Sequence, residues 1–493
     1  MPKYRRARFE ANSSVNFQSL TEDECEEIYK AALEVLERTG VNVFSEEARE
    51  IFAEAGCWVD EEDRVRIPIG LSEWAVENAP SKIILYDQEG NAALDLHDNK
   101  TFFGPGPTNT YHRDPYTGEK RRPVVQDNRN TAKVCDALEN IDYVMDLGAP
   151  SDVTENISDV HAFKAMLENT NKPIVHWGFD IEQYEDMIDM ASVVAGSLEE
   201  LQKKPFFFLY SEPISPLTHG REAIEKVLLA ARKRIPIVYT PGIISGATAP
   251  STLAGTLVQG LAECITGITL SQLVNRGTPI ILGGVYGIMD MNTTIFSYGS
   301  PEFHTMQAGI SEVSSHMGIP VFGTAGCTDS HTIDEQAAAE AAMSILTAAQ
   351  SGANLVHDCG YMSSGDMGSL EQLVMDNEII GMVRRFMEGI EVTDETLAVD
   401  VVDEVGIGGH FLGEDHTREH FKDQTWFPEL MNRMRHDGWR TKANKSRMSE
   451  RIKDKLHDIL ENYEPPALDE EDQNEIDKIM ERAEKREAER AEE

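Results

Sequence analysis

Between residues 101 and 360, eight short apolar runs recur at intervals. They are TFFGPG (101–106), DYVMDLGAP (142–150), PIVHWGF (173–179), PFFFLYSEP (205–213), IPIVYTPG (235–242), TPIILGGV (278–285), IPVFGTAG (319–326) and ANLVHDCG (353–360). Most are separated by helical patterns such as SDVHAFKAMLENT, GREAIEKVLLAARKR and DEQAAAEAAMSILTAAQSG. Continuous apolar strands alternating with helices predict a parallel sheet buried on both faces. Eight such units over ~260 residues is the span of a TIM (β/α)8 barrel. The chain therefore reads as an α/β fold built on that barrel. A doubly wound sheet is the alternative, but the count of eight and the lack of an early GxGxxG turn favour the barrel.

The flanks have a different rhythm. Residues 1–100 read as an N-terminal α+β lead-in. Thr21 and Glu24 form a capping-box pattern ahead of the stripe Ile28, Ala32, Leu33, Val35 and Leu36, and Gly40 stops the helix. A hairpin is predicted around Glu89-Gly90-Asn91. The barrel domain is assigned to 101–385 and a C-terminal helical extension to 386–465. Within that extension, VGIGGHFLGEDHTREHF reads as a lid or docking loop. The last stretch, 466–493, is dominated by charged residues and reads as an exposed helix or frayed tail.

Charge narrows the function classes. The 493 residues include 86 acidic and 45 basic ones, a formal net charge of -41. Nucleic acid and anionic membrane both call for a basic footprint, so neither is an expected partner. No secretory signal is read at the start, and no run approaches ~18 apolar residues, so no transmembrane helix is expected. Cys25, Cys57, Cys135, Cys264, Cys327 and Cys359 are scattered without CxxC pairs, which fits reduced thiols in a cytoplasmic protein. Barrels with long helical extensions often self-associate, so a homo-oligomer is left open.

Barrel active sites lie at the C-terminal ends of the strands. Collecting those ends gives Tyr111, Trp177, Phe208, Tyr210, Glu212, Tyr239, Tyr286, Asp290, Tyr298, His304, His331, His357 and Tyr361. Aromatic residues recur there although they make up 7% of the chain, and Lys and Arg are nearly missing. Such a pocket suits a cation, above all a quaternary ammonium group held by cation–π contacts. The alternative is that the rings fill barrel layers or stack under loops. A second constellation is Cys327, His331, His357 and Cys359, which could form a zinc site for a methyltransferase or hydrolase. No GxSxG or phosphate-binding loop occurs in context. Asp334 is placed to cap the helix that starts at Glu335.

Several long stretches carry a family pattern. LTEDECEEIYKAALEVLERTGVNV, AGCWVD, RIPIGLSEWAVENAP, GPGPTNTYHRDPYTGEKRRPVVQDN, AGCTDSHTIDEQAAAEAAMSILTAAQSGANLVHDCG and GGHFLGEDHT resemble the trimethylamine methyltransferase superfamily. The resemblance runs from about residue 20 to 460. It implies a TIM barrel that moves a methyl group from a methylated amine to the cobalt of a partner corrinoid protein. Founding members carry pyrrolysine, whose position falls near Cys327–Thr328, whereas this chain has only standard residues. That departure implies the branch lacking pyrrolysine, which resembles glycine betaine:corrinoid methyltransferase. The implied substrate is a quaternary amine, glycine betaine first. The implied acceptor is cob(I)alamin on the partner, with no tightly bound metal on this chain. On this reading Tyr111, Trp177, Tyr210, Tyr239 and Tyr286 form the ammonium cage and His331 holds a substrate carboxylate. Asp329 positions His331 or the incoming corrinoid. A non-catalytic, betaine-binding barrel is the remaining alternative.

Overall fold

The computed structural model describes residues 16–492. Its centre is a ring of seven parallel strands and one extended segment, 142–147, which joins through the bridge Val144–Ile174; they are numbered β1–β8 in chain order, the segment being β2. They are β1 (Phe102–Pro105), β2 (142–147), β3 (Ile174–Trp177), β4 (Phe207–Ser211), β5 (Ile237–Tyr239), β6 (Ile280–Gly283), β7 (Val321–Thr324) and β8 (Leu355–Cys359). Each falls within one of the eight apolar runs. Seven form one continuous sheet in the order β1-β8-β7-β6-β5-β4-β3. β2 closes the ring with sparser bonding. Asp142 and Leu147 donate backbone hydrogen bonds to Phe103 O (2.7 Å) and Gly106 O (3.0 Å) on β1. On its other side Val144 donates to Pro173 O (2.9 Å) and accepts from Val175 N (3.0 Å).

Side-chain alternation along these strands decides which residues meet inside. Phe102, Tyr143, Val175, Phe208, Val238, Ile281, Phe322 and Leu355, one from each strand, fall into a single buried apolar cluster. Leu85, Leu94 and Leu96 join the same cluster. They belong to the hairpin Ile83–Tyr86/Ala92–Leu96, which turns at Gly90 and plugs the barrel floor. One layer up, Gly104 carries no Cβ because one there would lie 2.6 Å from the Tyr143 ring. The strand residues pointing outward pack on the helices in a second, larger core.

Helix Glu22–Arg38 begins at the expected capping box, with Thr21 and Glu24 bonding reciprocally. A small sheet of Val41–Val43, Arg64–Arg66 and Trp58–Val59 follows and takes in Thr218–His219 from the barrel domain. Helix Leu253–Val274 is long and apolar enough to cross a membrane, which the sequence reading did not anticipate. Most of it is buried inside the protein, as befits a core helix. The charged terminus is also more ordered than a frayed tail. Helix Glu470–Glu492 buries Ile476, Met480 and Ala483, and its arginines dock on helix Ile181–Val194. Arg482 Nη2 lies 2.7 Å from Asp186 Oδ1 and 2.7 Å from Asp189 Oδ2, and Arg486 Nη2 lies 2.6 Å from Asp186 Oδ2. Sequence alternation alone could not reveal that partner.

Candidate active site

Above the floor layer, β3, β4, β7 and β8 turn polar and aromatic side chains into the barrel. Trp177 follows Val175 by two residues, Tyr210 follows Phe208, Thr324 follows Phe322, and His357 follows Leu355. The period of two therefore carries all four to the inner face. Trp177 Nε1 points at Asp146 Oδ2 (3.4 Å), and Tyr210 OH donates to Glu212 Oε2 (3.1 Å). The Phe322 ring stacks on His357 with centroids 4.1 Å apart and lies 5.7 Å from the Tyr210 ring. His357 Nε2 is 3.1 Å from Thr324 Oγ1, and its Nδ1 is 2.6 Å from Asp358 Oδ1. Tyr298 OH completes that corner by donating to Asp358 Oδ2 (3.1 Å).

Glu212 is the informative member. Its side chain has open surface, yet protein atoms crowd it on nearly every side. That burial raises its carboxyl above the ordinary glutamate range, against the hydrogen bond from Tyr210 and the nearby His357. Burial likewise pushes Asp146 up to about 6, although Thr108 N donates to it at 2.9 Å. Burial, with Glu212 next, holds the Tyr210 phenol protonated well above its usual range. None of the inward positions named above is Lys or Arg. Carboxylates and aromatic faces lie together here, with the buried Lys226, which donates to Gly178 O, the cation acting on Glu212, and such a set attracts a positively charged guest.

The expected cage is only partly assembled. Trp177 and Tyr210 reach the hollow. Tyr239 does not, because Val238 takes the inward position of β5 and sends Tyr239 outward. Its ring fits against Gly267 of helix Leu253–Val274, and its hydroxyl lies 2.7 Å from His219 Nδ1. Tyr286 presses on Gly260 of the same helix, fully buried, its hydroxyl without a partner among the described residues. Tyr111 sits in a small collar sheet with Arg121 and Gly368, where Lys120 Nζ (3.8 Å) and Arg122 (5.1 Å) already cover its ring. Tyr286→Phe should therefore leave the substrate KM within about 2-fold of wild type. Tyr239→Phe should lower stability by about 1 kcal/mol without changing KM. Steady-state kinetics and thermal melts check both.

The CTDSH stretch after β7 does more scaffolding than its density suggests. Asp329 accepts from Ser297 Oγ (2.5 Å), Tyr298 N (2.8 Å), Gly299 N (3.0 Å) and Ser364 Oγ (3.0 Å). That carboxylate ties the loop after β6 to the loop after β8, and it has little capacity left for a reacting group. Ser330 Oγ donates to Asp334 Oδ1 (2.9 Å), the N-cap of the next helix. His331 is exposed at the rim, its Nδ1 2.9 Å from Ser363 Oγ. The four supposed zinc ligands are not gathered: Cys327 and Cys359 are buried, His357 engages Thr324 and Asp358, and His331 faces outward. Among the described residues no group of three or more His, Cys, Asp or Glu side chains is set to hold a metal ion. Asp146, Asp358 and Thr324 were absent from the inventory read off the sequence. Strand alternation and strand ends were the available signals, since Asp146 ends DYVMD and Asp358 follows His357.

The trimethylamine methyltransferase (MTTB) family description matches residues 3–489. The chain belongs to that family. MTTB members similar to it include trimethylamine methyltransferase MttB of Desulfitobacterium hafniense, 35% identical over 91% of this chain and 90% of the relative. The glycine betaine methyltransferase of Desulfitobacterium hafniense is 30% identical over 92% of this chain and 95% of the relative. Among solved structures, the monomethylamine methyltransferase MtmB of Methanosarcina barkeri shares the fold, with a TM-score of 0.54 and 12% identity. That alignment covers 91% of this chain and 89% of the other. The MTTB chain described here is thus a methyltransferase on a TIM barrel.

Proposed function

We propose that the protein moves a methyl group from a cationic methylated amine, glycine betaine first, to Co(I) of a partner corrinoid protein. The observation carrying this reading is the hollow of Trp177, Tyr210, Phe322, Glu212, Asp146 and Asp358, with no Lys or Arg on its inward positions. In the reaction the C–N bond breaks and its electron pair stays on nitrogen, while the methyl carbon bonds to the attacking cobalt. A quaternary nitrogen leaves as a neutral tertiary amine, so the protein need not supply a proton. Its work is to hold the N-methyl group in line with the acceptor, an effect worth up to ~7–11 kcal/mol in well-oriented systems. The rings and carboxylates must hold the cation without stabilising it so strongly that its charge cannot be lost at the transition state. His331, exposed at the rim, is the side chain assigned to meet a substrate carboxylate. Asp329 fixes the loop that carries it. A glycine betaine methyltransferase among the relatives supports the choice of donor.

The test is direct. Purified protein is mixed with reduced cobalamin and either glycine betaine, trimethylamine or carnitine, and loss of the Co(I) absorbance is followed. Glycine betaine should consume Co(I) fastest. Turnover of trimethylamine alone would overturn the choice of donor, and no methylation with any of them would overturn the reading.

A further inference from the structure

The wall that carries Trp177 and Tyr210 is also built from behind. The two residues pair directly in the register of β3 and β4, so their side chains stand next to each other on the inner face. The backbone where these strands end is held by side chains from the helical layer. Tyr184 OH donates to Tyr210 O, and Lys226 Nζ donates to the carbonyl of Gly178, the residue after Trp177. Asp159 Oδ2 accepts from Phe179 N at 2.9 Å, and a Cβ on Gly178 would lie 3.0 Å from that same oxygen. Helices Ser158–Leu167, Ile181–Val194 and Arg221–Lys233 thus converge on the ends of two strands.

Lys226 is the unusual member of this brace. A lysine is almost never fully buried unless it is paired, yet this one is 8% exposed. Its Nζ lies 5.3 Å from the Tyr184 ring centroid, a cation–π contact with the residue that holds Tyr210 O. Its hydrogen bond goes to a backbone carbonyl, and the carboxylates of Asp159, Glu222, Asp180 and Glu212 act on its charge. Taking an ammonium out of water is costly, and a wall needed for packing alone is as stable with an apolar side chain there.

We infer that Lys226 is a positioning residue of the methyl-transfer site, fastening the ends of β3 and β4 so that Trp177 and Tyr210 hold a cationic donor in place. The inference rests on the proposed function. Lys226 meets no reacting atom and acts through Trp177, Tyr210 and Glu212. Precision of this kind matters, because a misplacement of about 1 Å from a change far from the chemistry can cost about 100-fold. Its charge has a second effect. Glu212 is faced by Tyr210, His357 and Lys226, which favour the ionised carboxylate, and by Asp358, which opposes it. Without the ammonium, Glu212 stays protonated to higher pH, and the acidic limb of kcat/KM moves up.

Two full-length variants test this. Lys226→Met keeps the length of the stem and removes the ammonium, and Lys226→Arg keeps the charge and a donor. Each is assayed with glycine betaine and reduced cobalamin across acidic pH, and Trp177 emission is isolated by subtracting the spectrum of the matched Trp177→Phe protein. Lys226→Met should raise KM about 10-fold while kcat falls less than about 3-fold, the mark of lost binding and not of lost chemistry. Its acidic limb should move to higher pH and its Trp177 emission to longer wavelength. Lys226→Arg should stay within about 3-fold of wild type in KM, with the limb and the emission in place. A Lys226→Met protein with the KM and emission of wild type would overturn the inference. So would a Lys226→Arg protein whose KM and emission depart from wild type as far as those expected for Lys226→Met, and this arm decides alone where Lys226→Met does not fold. Wild-type protein that turns over no glycine betaine would count against the proposed function instead, and the emission, which needs no donor, would still decide whether Lys226 places Trp177.

Discussion

Glu212→Gln is expected to lower kcat/KM for a cationic methylated amine about 10-fold while leaving the thermal melt within a few degrees of wild type. The substitution keeps the shape of the side chain and its acceptor for Tyr210 OH, now 3.1 Å away, but removes the charge. Glu212 keeps open surface, so solvent screens its attraction for a bound cation and losing the charge costs about 1.4 kcal/mol. Each ~1.4 kcal/mol is tenfold in rate, so the loss is about one order of magnitude. The same carboxylate predicts a pH profile. Burial raises its pKa above the ordinary value of 4.5, so the ionised form, and with it kcat/KM, is lost as pH falls through that raised pKa. Tyr210, His357, Asp358 and Lys226 all act on this group, and the Tyr210 phenol stays neutral through that range. In Glu212→Gln the acidic limb attributable to Glu212 should vanish. Kinetics of the two proteins across acidic pH measure it. An unchanged limb would assign the titration elsewhere, with Asp146 at about 6 the next group to replace.

Gly106→Ala should be more damaging than its size suggests. Gly106 follows β1 at the level of the hollow, and a Cβ there would overlap Asp358 Oδ1 and the Tyr361 ring. Asp358 is held by Tyr298 OH and lies against His357, so it cannot retreat without disturbing that corner. Tyr361 is fixed by its hydroxyl donating to Pro107 O. Overpacking of this kind costs about 1–3 kcal/mol. Because the displaced atoms line the site, kcat should fall at least about 10-fold, with a drop of several degrees in Tm. Gly70→Ala, where an added Cβ meets nothing within 4 Å, is the control and should change neither quantity. Equal behaviour of the two variants would mean that Asp358 and its neighbours do not shape catalysis.

These outcomes depend on features that differ in how readily a sequence displays them. The barrel was legible because a strand buried on both faces must be continuously apolar, and eight such runs stand out between amphipathic helices. Even β2, whose bonding is sparse, is marked by VMDL. The ring-rich hollow was legible only in part. Strand alternation separates Tyr210, inward with Phe208, from Tyr239, outward beside Val238. Applying that period to each run would have set Tyr239 aside. Tyr286 and Tyr111 lie on short extra strands beyond the barrel, Val285–Asp290 and Tyr111–Arg113, where the period restarts, so their facing could not be read. Asp329 looked reactive because it sits in CTDSH. Its four donors come from residues about 30 positions away on both sides, which no local pattern exposes. The docking of the terminal helix is a long-range fact of the same kind.

The most direct measurement compares two ligands of equal shape by calorimetry on the wild-type protein. One is glycine betaine. The other is the tert-butylacetate anion, in which carbon replaces the quaternary nitrogen and the positive charge is gone. A hollow of carboxylates and aromatic faces should bind glycine betaine at least about 10-fold more tightly, a difference of ~1.4 kcal/mol. Equal or tighter binding of the neutral-headed anion would contradict the account, since the pocket would then be selecting shape and not charge.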